Sequence, residues 1–546
     1  MKRRNRVLQE RGTIYKKSGV RLSMALVYPN TYGLGMANLG FQTVYRLFNE
    51  IENVRCERVF LPQKYAHLRS VESGRRLNEF DVIAFSLSFE LDYLNVAHVL
   101  MLAGLPLRSE DRDETSPLVM AGGVGVTLNP EPLAPLMDLF VIGESETIIP
   151  LLADSLVSHH RRRFSRQETL LALTQISGVY VPRFYNIGYS WDGRVSKIEP
   201  AHDVPPRVQR QYVNDIDSVQ TFSPIVSTES HFKEMFLVEV GRGCPRGCRF
   251  CASGFIYRPV RYRHREGLLS QIHNRKDGTK RIGLVGSAVS DHPQFEVLCK
   301  ELVNDGFQLG VSSFRADALT SSFINILVQG GVRTLTLAPE TGSEQLRTRI
   351  HKNLTDEDIL NAVRVAAEGG MSNIKLYFIV GFPFEDEDET ASILSLVKGI
   401  RSVFFSRKRT KGRVAVSIHP FVPKASTPFQ WIPMENVKLL AQKLEKIAAG
   451  LREISGVYVS PKSPRRAFLQ GLFSVGDRRV GEAICLKTED RLHWKRAWKK
   501  AGVKPEWYVY REKAYDEILP WEVIDSGIDK RTLWGQYQRA KKSVFE

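Results

Sequence analysis

Short apolar runs ending in glycine or an acid recur along most of this chain, with helix-like stretches between them. MALVYP (24–29), DVIAFSLS (81–88), PLVMAGG (117–123) and DLFVIGE (138–144) form a first series. FLVEVG, RIGLVG, LGVSSF, TLTLAPE, IKLYFIVG and VAVSIHPF form a second, beginning near Met235. Strands this apolar are covered on both faces, and strand–helix alternation makes their sheets parallel. The pattern therefore restricts the chain to an α/β class. We expect a doubly wound, Rossmann-like domain over residues 23–175 and a partial (β/α)6 barrel over 229–455. In such folds ligands sit at the carboxyl ends of the strands, so the loop after each run is where chemistry belongs.

The remaining segments lack this pattern. Residues 1–22 form a basic extension with eight Lys/Arg against one acid. Residues 176–228, with prolines, aromatics and a WDGR turn, read as a linker with a β-hairpin. Residues 456–546 read as a small, basic, mostly helical C-terminal domain holding five of the seven tryptophans. No run of about 18 apolar residues lacks charge, so no membrane span is expected. The basic N-terminus has no apolar run behind it, unlike a secretory signal. Six cysteines in 546 residues make no disulfide framework, which points to a reducing compartment, and a cytoplasmic location is expected.

Three of those cysteines fall together. GRGCPRGCRFC places Cys244, Cys248 and Cys251 in a C-x3-C-x2-C spacing directly after FLVEVG. Thiolates ligate iron–sulfur clusters, and a full set for a [4Fe–4S] cluster is four. A loop supplying three leaves one iron for an outside ligand. Gly241, Gly243 and Gly247 let the backbone wrap closely around the sulfurs. The competing readings are three incidental thiols or a zinc site, for which His264 would be a conceivable fourth ligand.

The motif resembles the radical S-adenosylmethionine (radical SAM) superfamily, over about residues 235–455. The resemblance implies a [4Fe–4S] cluster whose open iron binds S-adenosylmethionine, with reductive cleavage giving a radical that abstracts hydrogen from substrate. It also implies an external reductant such as flavodoxin or ferredoxin. On this resemblance Gly286 and Ser287 meet the methionine amino group, and Ser312 and Arg315 hold other polar groups of the cosubstrate. Glu340 suits its ribose hydroxyls and Arg347 its carboxylate. Each of these alone would read as an ordinary strand-end or surface residue.

The first series resembles the cobalamin-binding module found upstream of many radical SAM domains. The matching phrases are YPNTYGLGMANLG (28–40), SLSFE (86–90), AGGVGVTLNPEP (121–132) and DLFVIGESE (138–146). The implied cobalamin contacts are Tyr28, Asn30, Ser86, Ser88, Gly122, Gly123, Thr127, Asn129, Glu144 and Glu146. A plain doubly wound nucleotide-binding domain is the alternative. The D-x-H-x-x-G motif is absent, and His67 and His98 lie in helical contexts, so cobalamin is expected without a protein histidine on cobalt. Methylthiotransferases share the core but need a second cysteine trio, whereas residues 1–240 hold only Cys56. The whole chain is similar to a bacterial family of cobalamin-type radical SAM proteins, through GRGCPRGCRFC-x-x-G-x-x-YRPVR and LPWEVIDSGIDKRTLW.

The reaction expected is methylation of an unactivated carbon. A cobalamin-assisted rearrangement or cyclisation is the alternative. A different class would be an RNA- or ribosome-binding protein with a structural or redox-sensing cluster. The formal net charge of +17 gathers at 1–22, 159–163 and 401–413, which suits RNA or the ribosome as partner, or else a solvated surface. The tryptophans could stack bases or pin the C-terminal domain to the barrel. Cys485 reads as a packing residue or a catalytic thiol, and Cys56 and Cys299 as packing.

Overall fold

The computed structural model describes residues 9–542 apart from 17–18, 63–66, 163, 387 and 407–411. Much of the three basic clusters, namely residues 1–8, Arg163 and 407–411, lies outside the described residues.

The first sheet is built from β1 (Leu22–Tyr28), β2 (Val54–Phe60), β3 (Val82–Ser86), β4 (Leu118–Gly122), β5 (Leu139–Val141) and β6 (Val179–Tyr180). Their order is β2-β1-β3-β4-β5-β6, parallel except for β6. All seven residues of β1 are buried, as a central parallel strand with both faces covered requires. The chain runs from β1 out to β2 and returns to β3 on the other side, so the strand order reverses beside β1. That reversal opens the crevice in which doubly wound sheets bind ligands.

Two strands of this sheet were not expected. In β2 (VRCERVF) charged residues hide the apolar pattern. Arg58 is nonetheless fully buried, because Glu10 and Glu72 pair with it at 2.6 and 2.7 Å. β6 lies beyond residue 175, so the sheet reaches into the expected linker. The expected hairpin is present as Tyr185–Tyr189 against Val195–Pro200. After it, β7 (Val208–Gln209) crosses to the end of the chain, where it pairs with Ile524–Asp525.

The second series folds as expected into β8 (Phe236–Arg242), β9 (Arg281–Gly286), β10 (Gln308–Val311), β11 (Thr334–Glu340), β12 (Asn373–Val380) and β13 (Arg413–Pro420). A parallel bridge between Phe314 and Leu337 joins β10 to β11, giving one partial barrel. A seventh strand, β14 (Val457–Pro461), pairs with β13 from within the stretch expected to open the C-terminal domain. Burial alternates strictly along β12. Ile374, Leu376, Phe378 and Val380 pack with Ile359, Val363, Ile393 and Val397 of the surrounding helices. The alternate residues face the barrel interior.

The C-terminal helices do not form an independent unit. Their core, including Leu472, Phe473, Val480 and Trp521, is continuous with that of the first sheet. The tryptophans hold this arrangement together. Trp521 donates to Gln430 at 2.8 Å, Trp534 packs edge-on to Trp431, and Trp494 stacks on Trp498 at 4.2 Å. Cys485, Cys56 and Cys299 are buried packing residues.

The docking uses NPEP. Asn129 donates to the carbonyls of Ser474 and Gly476 at 3.1 and 2.8 Å, and Glu131 pairs with Arg478. Asn129 was expected to meet cobalamin, but its amide is occupied by the C-terminal domain. Replacing Asn129 by Ala strands two buried carbonyls and should cost about 1–3 kcal/mol, read as a lower chemical-denaturation midpoint.

Lys513 lies wholly inside the C-terminal domain, its ammonium 3.4 Å from the Tyr508 carbonyl. Burial, reinforced by Arg511, pushes its pKa down to about 7. The unfolded chain then binds more protons than the native state between about pH 7 and the ordinary lysine range, so stability from this site rises across that window. Lys513→Met should therefore raise the melting temperature more at about pH 6 than at about pH 9.

Candidate active site

The loop after β8 carries the three cysteines. Gly243 has φ +85°, and a Cβ there would lie 2.6 Å from the Tyr257 carbonyl, so the tight wrap requires glycine. The loop is fixed from several sides. Arg249 N–H donates to the Ile350 carbonyl at 3.0 Å, Cys251 N–H to the Cys248 carbonyl at 3.0 Å, and Arg246 binds Asp291. Burial pushes the Cys248 thiol up to about 12, and the nearby Lys352 charge acts in the opposite direction. Burial also raises Cys244, and the Cys251 charge adds to it. Among the described residues no three His, Cys, Asp or Glu side chains converge on a single-ion site. His264 is exposed and bonded to Asp217. A donor set of three thiols on a glycine-shaped loop fits a cluster with one open iron.

A cavity of about 640 Å³ begins at the carboxyl ends of β1, β3, β4 and β5 and reaches the cysteine loop. Ser86, Ser88, Gly122, Gly123 and Thr127 line one side, and Gly243, Gly286 and Ser287 the other. A Cβ on Gly122 would meet only Val141, at 3.6 Å, so protein packing does not demand glycine there. Arg210, on the strap after β7, also lines this space; it is 8% exposed, and its Nη1 has no partner. Open space at a strand-end glycine with an unsatisfied buried donor on the wall fits a large group fringed with amides.

Tyr28 and Asn30 sit behind this wall. Asn30 donates to Asp92 at 2.9 Å, and burial raises the Tyr28 phenol. His67 and His98 are exposed. Glu144 and Glu146 border the cavity with their carboxylates engaged. Glu144 takes Arg261 at 2.6 Å, Arg242 at 2.7 Å and the Val213 N–H at 2.8 Å, and Glu146 pairs with Arg242. Against the cost of burial, Arg261 and Arg242 hold the Glu144 carboxyl below the usual carboxylate range. Arg242 also binds Glu239 at 2.9 Å within β8, and its pairs with Glu144 and Glu146 tie β8 to the first sheet one residue before the cysteine loop begins.

The expected cosubstrate residues separate. Gly286 and Ser287 reach the cavity, while Ser312 is exposed. Arg315 binds Asp317 at 2.9 Å and the Lys352 carbonyl at 3.2 Å. Arg347 cannot receive a carboxylate as expected: it is fully buried, bonded to the carbonyls of Leu354, Thr341 and Gly342 and paired with Asp356. The cation near the thiols is Lys352, held by Glu340 at 3.0 Å. Lys352, Arg242, Arg261 and Arg210 were missed. Arg242 lies inside GRGCP and Arg261 ends YRPVR, so both sat within recognised phrases, whereas Lys352 and Arg210 belong to none.

A family model described as "Radical SAM proteins, N-terminal" matches residues 40–182, and one described as "Radical SAM superfamily" matches 238–397. Together they cover more than half of the chain. The chain belongs to the radical SAM superfamily. An uncharacterised protein of Methanocaldococcus jannaschii is 27% identical over 464 residues, 85% of this chain and 90% of its own. An uncharacterised methyltransferase of Pyrococcus horikoshii is 23% identical over 51% of this chain and 57% of its own. The radical SAM methyltransferase TsrM of Kitasatospora setae, solved with cobalamin and a [4Fe–4S] cluster, shares the fold with a TM-score of 0.52 at 13% identity, covering 87% of this chain and 100% of that one. As a radical SAM enzyme, the protein is one whose chemistry requires a [4Fe–4S] cluster and S-adenosylmethionine. Among the described residues no helix is long and apolar enough to cross a membrane.

The cysteine assignment is directly testable. Joint replacement of Cys244, Cys248 and Cys251 by Ala should abolish iron and sulfide uptake during anaerobic reconstitution, along with the cluster's electron paramagnetic resonance signal. A triple variant carrying a full cluster would refute it.

Proposed function

We propose that this enzyme uses cobalamin and methylates an unactivated carbon. One observation carries the reading: a single cavity touches both the strand ends of the first sheet and the loop that holds the cluster cysteines. Two reacting groups held in one space lose little further entropy in meeting. The methyltransferase names of the Pyrococcus relative and of TsrM support it, as does the cobalamin in the latter structure.

When bound, the cluster with S-adenosylmethionine supplies hydrogen abstraction, and cobalamin supplies methyl transfer. The chain binds and orients. Cys244, Cys248 and Cys251 hold the cluster, and Gly286 and Ser287 present backbone beside it. Lys352 replaces Arg347 as the cation for the cosubstrate carboxylate, with Glu340 holding its ammonium in place. Gly122 and Gly123 admit the macrocycle, Ser86, Ser88 and Thr127 offer hydroxyls to its fringe, and Arg210 donates through its unsatisfied nitrogen. Glu144 and Glu146 act through Arg242, fixing the spacing of the two stations.

Two measurements test this. Gly122→Leu should weaken cobalamin binding, read by absorbance, by about tenfold or more, while the thermal transition stays in place because the new side chain meets open space. Under strong reductant with an accepted substrate, the enzyme should release both S-adenosylhomocysteine and 5′-deoxyadenosine. Release of 5′-deoxyadenosine alone would favour rearrangement or cyclisation, and failure to bind cobalamin would remove methyl transfer.

A further inference from the structure

Inside the barrel, β12 and β13 run in register, with Lys375 beside Ala415, Tyr377 beside Ser417 and Ile379 beside His419. The alternation of β12 places Lys375 and Tyr377 on its interior face. Ser417 Oγ and His419 Nε2 are 3.0 Å apart. The Lys375 ammonium lies 4.9 Å from the centre of the Tyr377 ring, which stands 6.0 Å from the His419 ring. Lys462, one residue past β14, is tied to β13 by its N–H, which donates to the Ile418 carbonyl at 2.8 Å. Burial and then the charges of Lys462 and Lys375 hold the His419 imidazole below its ordinary range.

Charge balance singles this patch out. The acids Glu340 and Glu239 on the neighbouring strands already have partners: Glu340 pairs with Lys352, and Glu239 with Arg242 and Arg263. Among the described residues, neither Lys375 nor Lys462 has an ion-pair partner, and both act on the same imidazole. Lys462 is exposed at the edge, whereas Lys375 is half-buried and carries its charge into a medium that screens poorly. Charged groups away from water are normally paired, so the inward Lys375, beside the Tyr377, Ser417 and His419 donors, suits an anion from outside the chain.

We propose that Lys375, Tyr377, Ser417 and His419, with Lys462 at the edge, bind an oxyanion group of the substrate, a phosphate or a carboxylate. The lysines supply charge, and the hydroxyls and imidazole supply directed hydrogen bonds. The barrel interior opens at the strand ends where Cys244 and Ser287 lie, so the anion would orient the substrate toward the reacting centre. This assignment rests on the proposal that the barrel encloses the substrate of a radical reaction.

The test uses full-length, cluster-loaded enzyme. Lys375 reactivity toward an amine-acylating reagent is read by peptide mass spectrometry with and without millimolar inorganic phosphate or acetate. Several-fold protection of Lys375, with the exposed Lys438 unchanged, is expected. Protection by phosphate alone assigns a phosphorylated substrate, by acetate alone a carboxylate, and by both a general oxyanion seat. Undiminished Lys375 reactivity with both anions, or equal protection of Lys438, overturns the proposal. By calorimetry, Lys375→Met should weaken binding of the protecting anion about tenfold or more, and the charge-keeping Lys375→Arg should retain it. Wild-type affinity in Lys375→Met overturns the site. Cobalamin load is measured on the same preparation. Protected Lys375 without cobalamin refutes methyl transfer and keeps the anion site, whereas bound cobalamin without protection refutes only the anion site.

Discussion

Arg242 is the constraint on which the active centre depends. It ends β8, one residue before the loop that carries the cysteines, and it reaches back to Glu144 and Glu146 at the end of the first sheet. A guanidinium and two carboxylates withdrawn from water are tolerable only when each satisfies the others, so their relative positions are sharply defined. Arg261 and Arg263 extend the same network through Glu144 and Glu239. The cavity between the two sheets therefore has walls whose separation is set by hydrogen-bond lengths. Apolar packing alone would tolerate sliding.

The rest of the molecule reinforces that spacing. The strap at 208–211 passes between the first sheet and the C-terminal segment, with the Gln211 carbonyl accepting from Glu144 N–H at 2.9 Å. The C-terminal helices close the far side of the first domain through Asn129 and Glu131. The barrel keeps its own core against its helices, which leaves its inner face free to carry polar chemistry. Structural cohesion and site chemistry thus occupy opposite faces of the same strands.

The sequence was most readable where burial and chemistry shared a local pattern. The six barrel strands and the cysteine loop follow from apolar runs and fixed spacing, and so do the strand ends around Gly122. It was least readable where a side chain's partner lies far along the chain. β2 went unseen because Arg55, Glu57 and Arg58 make it read as polar, and only Glu10 and Glu72 explain why Arg58 is buried. Asn129, Glu144 and Glu146 were recognised as important from their phrases, but their interdomain roles depend on Ser474, Arg261 and Arg242. Arg347 looked like a free cation on a helix, while the carbonyls that occupy it come from the turns on either side of that helix.

The contact between Asn129 and the Ser474 carbonyl spans 345 residues. During synthesis at about 5–20 residues per second, the segment that completes the first domain's core emerges roughly 20–70 s after NPEP does. For that interval Leu133, Leu136 and their neighbours face solvent or a chaperone instead of the helices they meet in the finished protein. Vectorial folding therefore leaves the first domain open on one side until residues 474–478 have emerged. The apolar surface left bare makes the emerging chain most prone to aggregation in that interval.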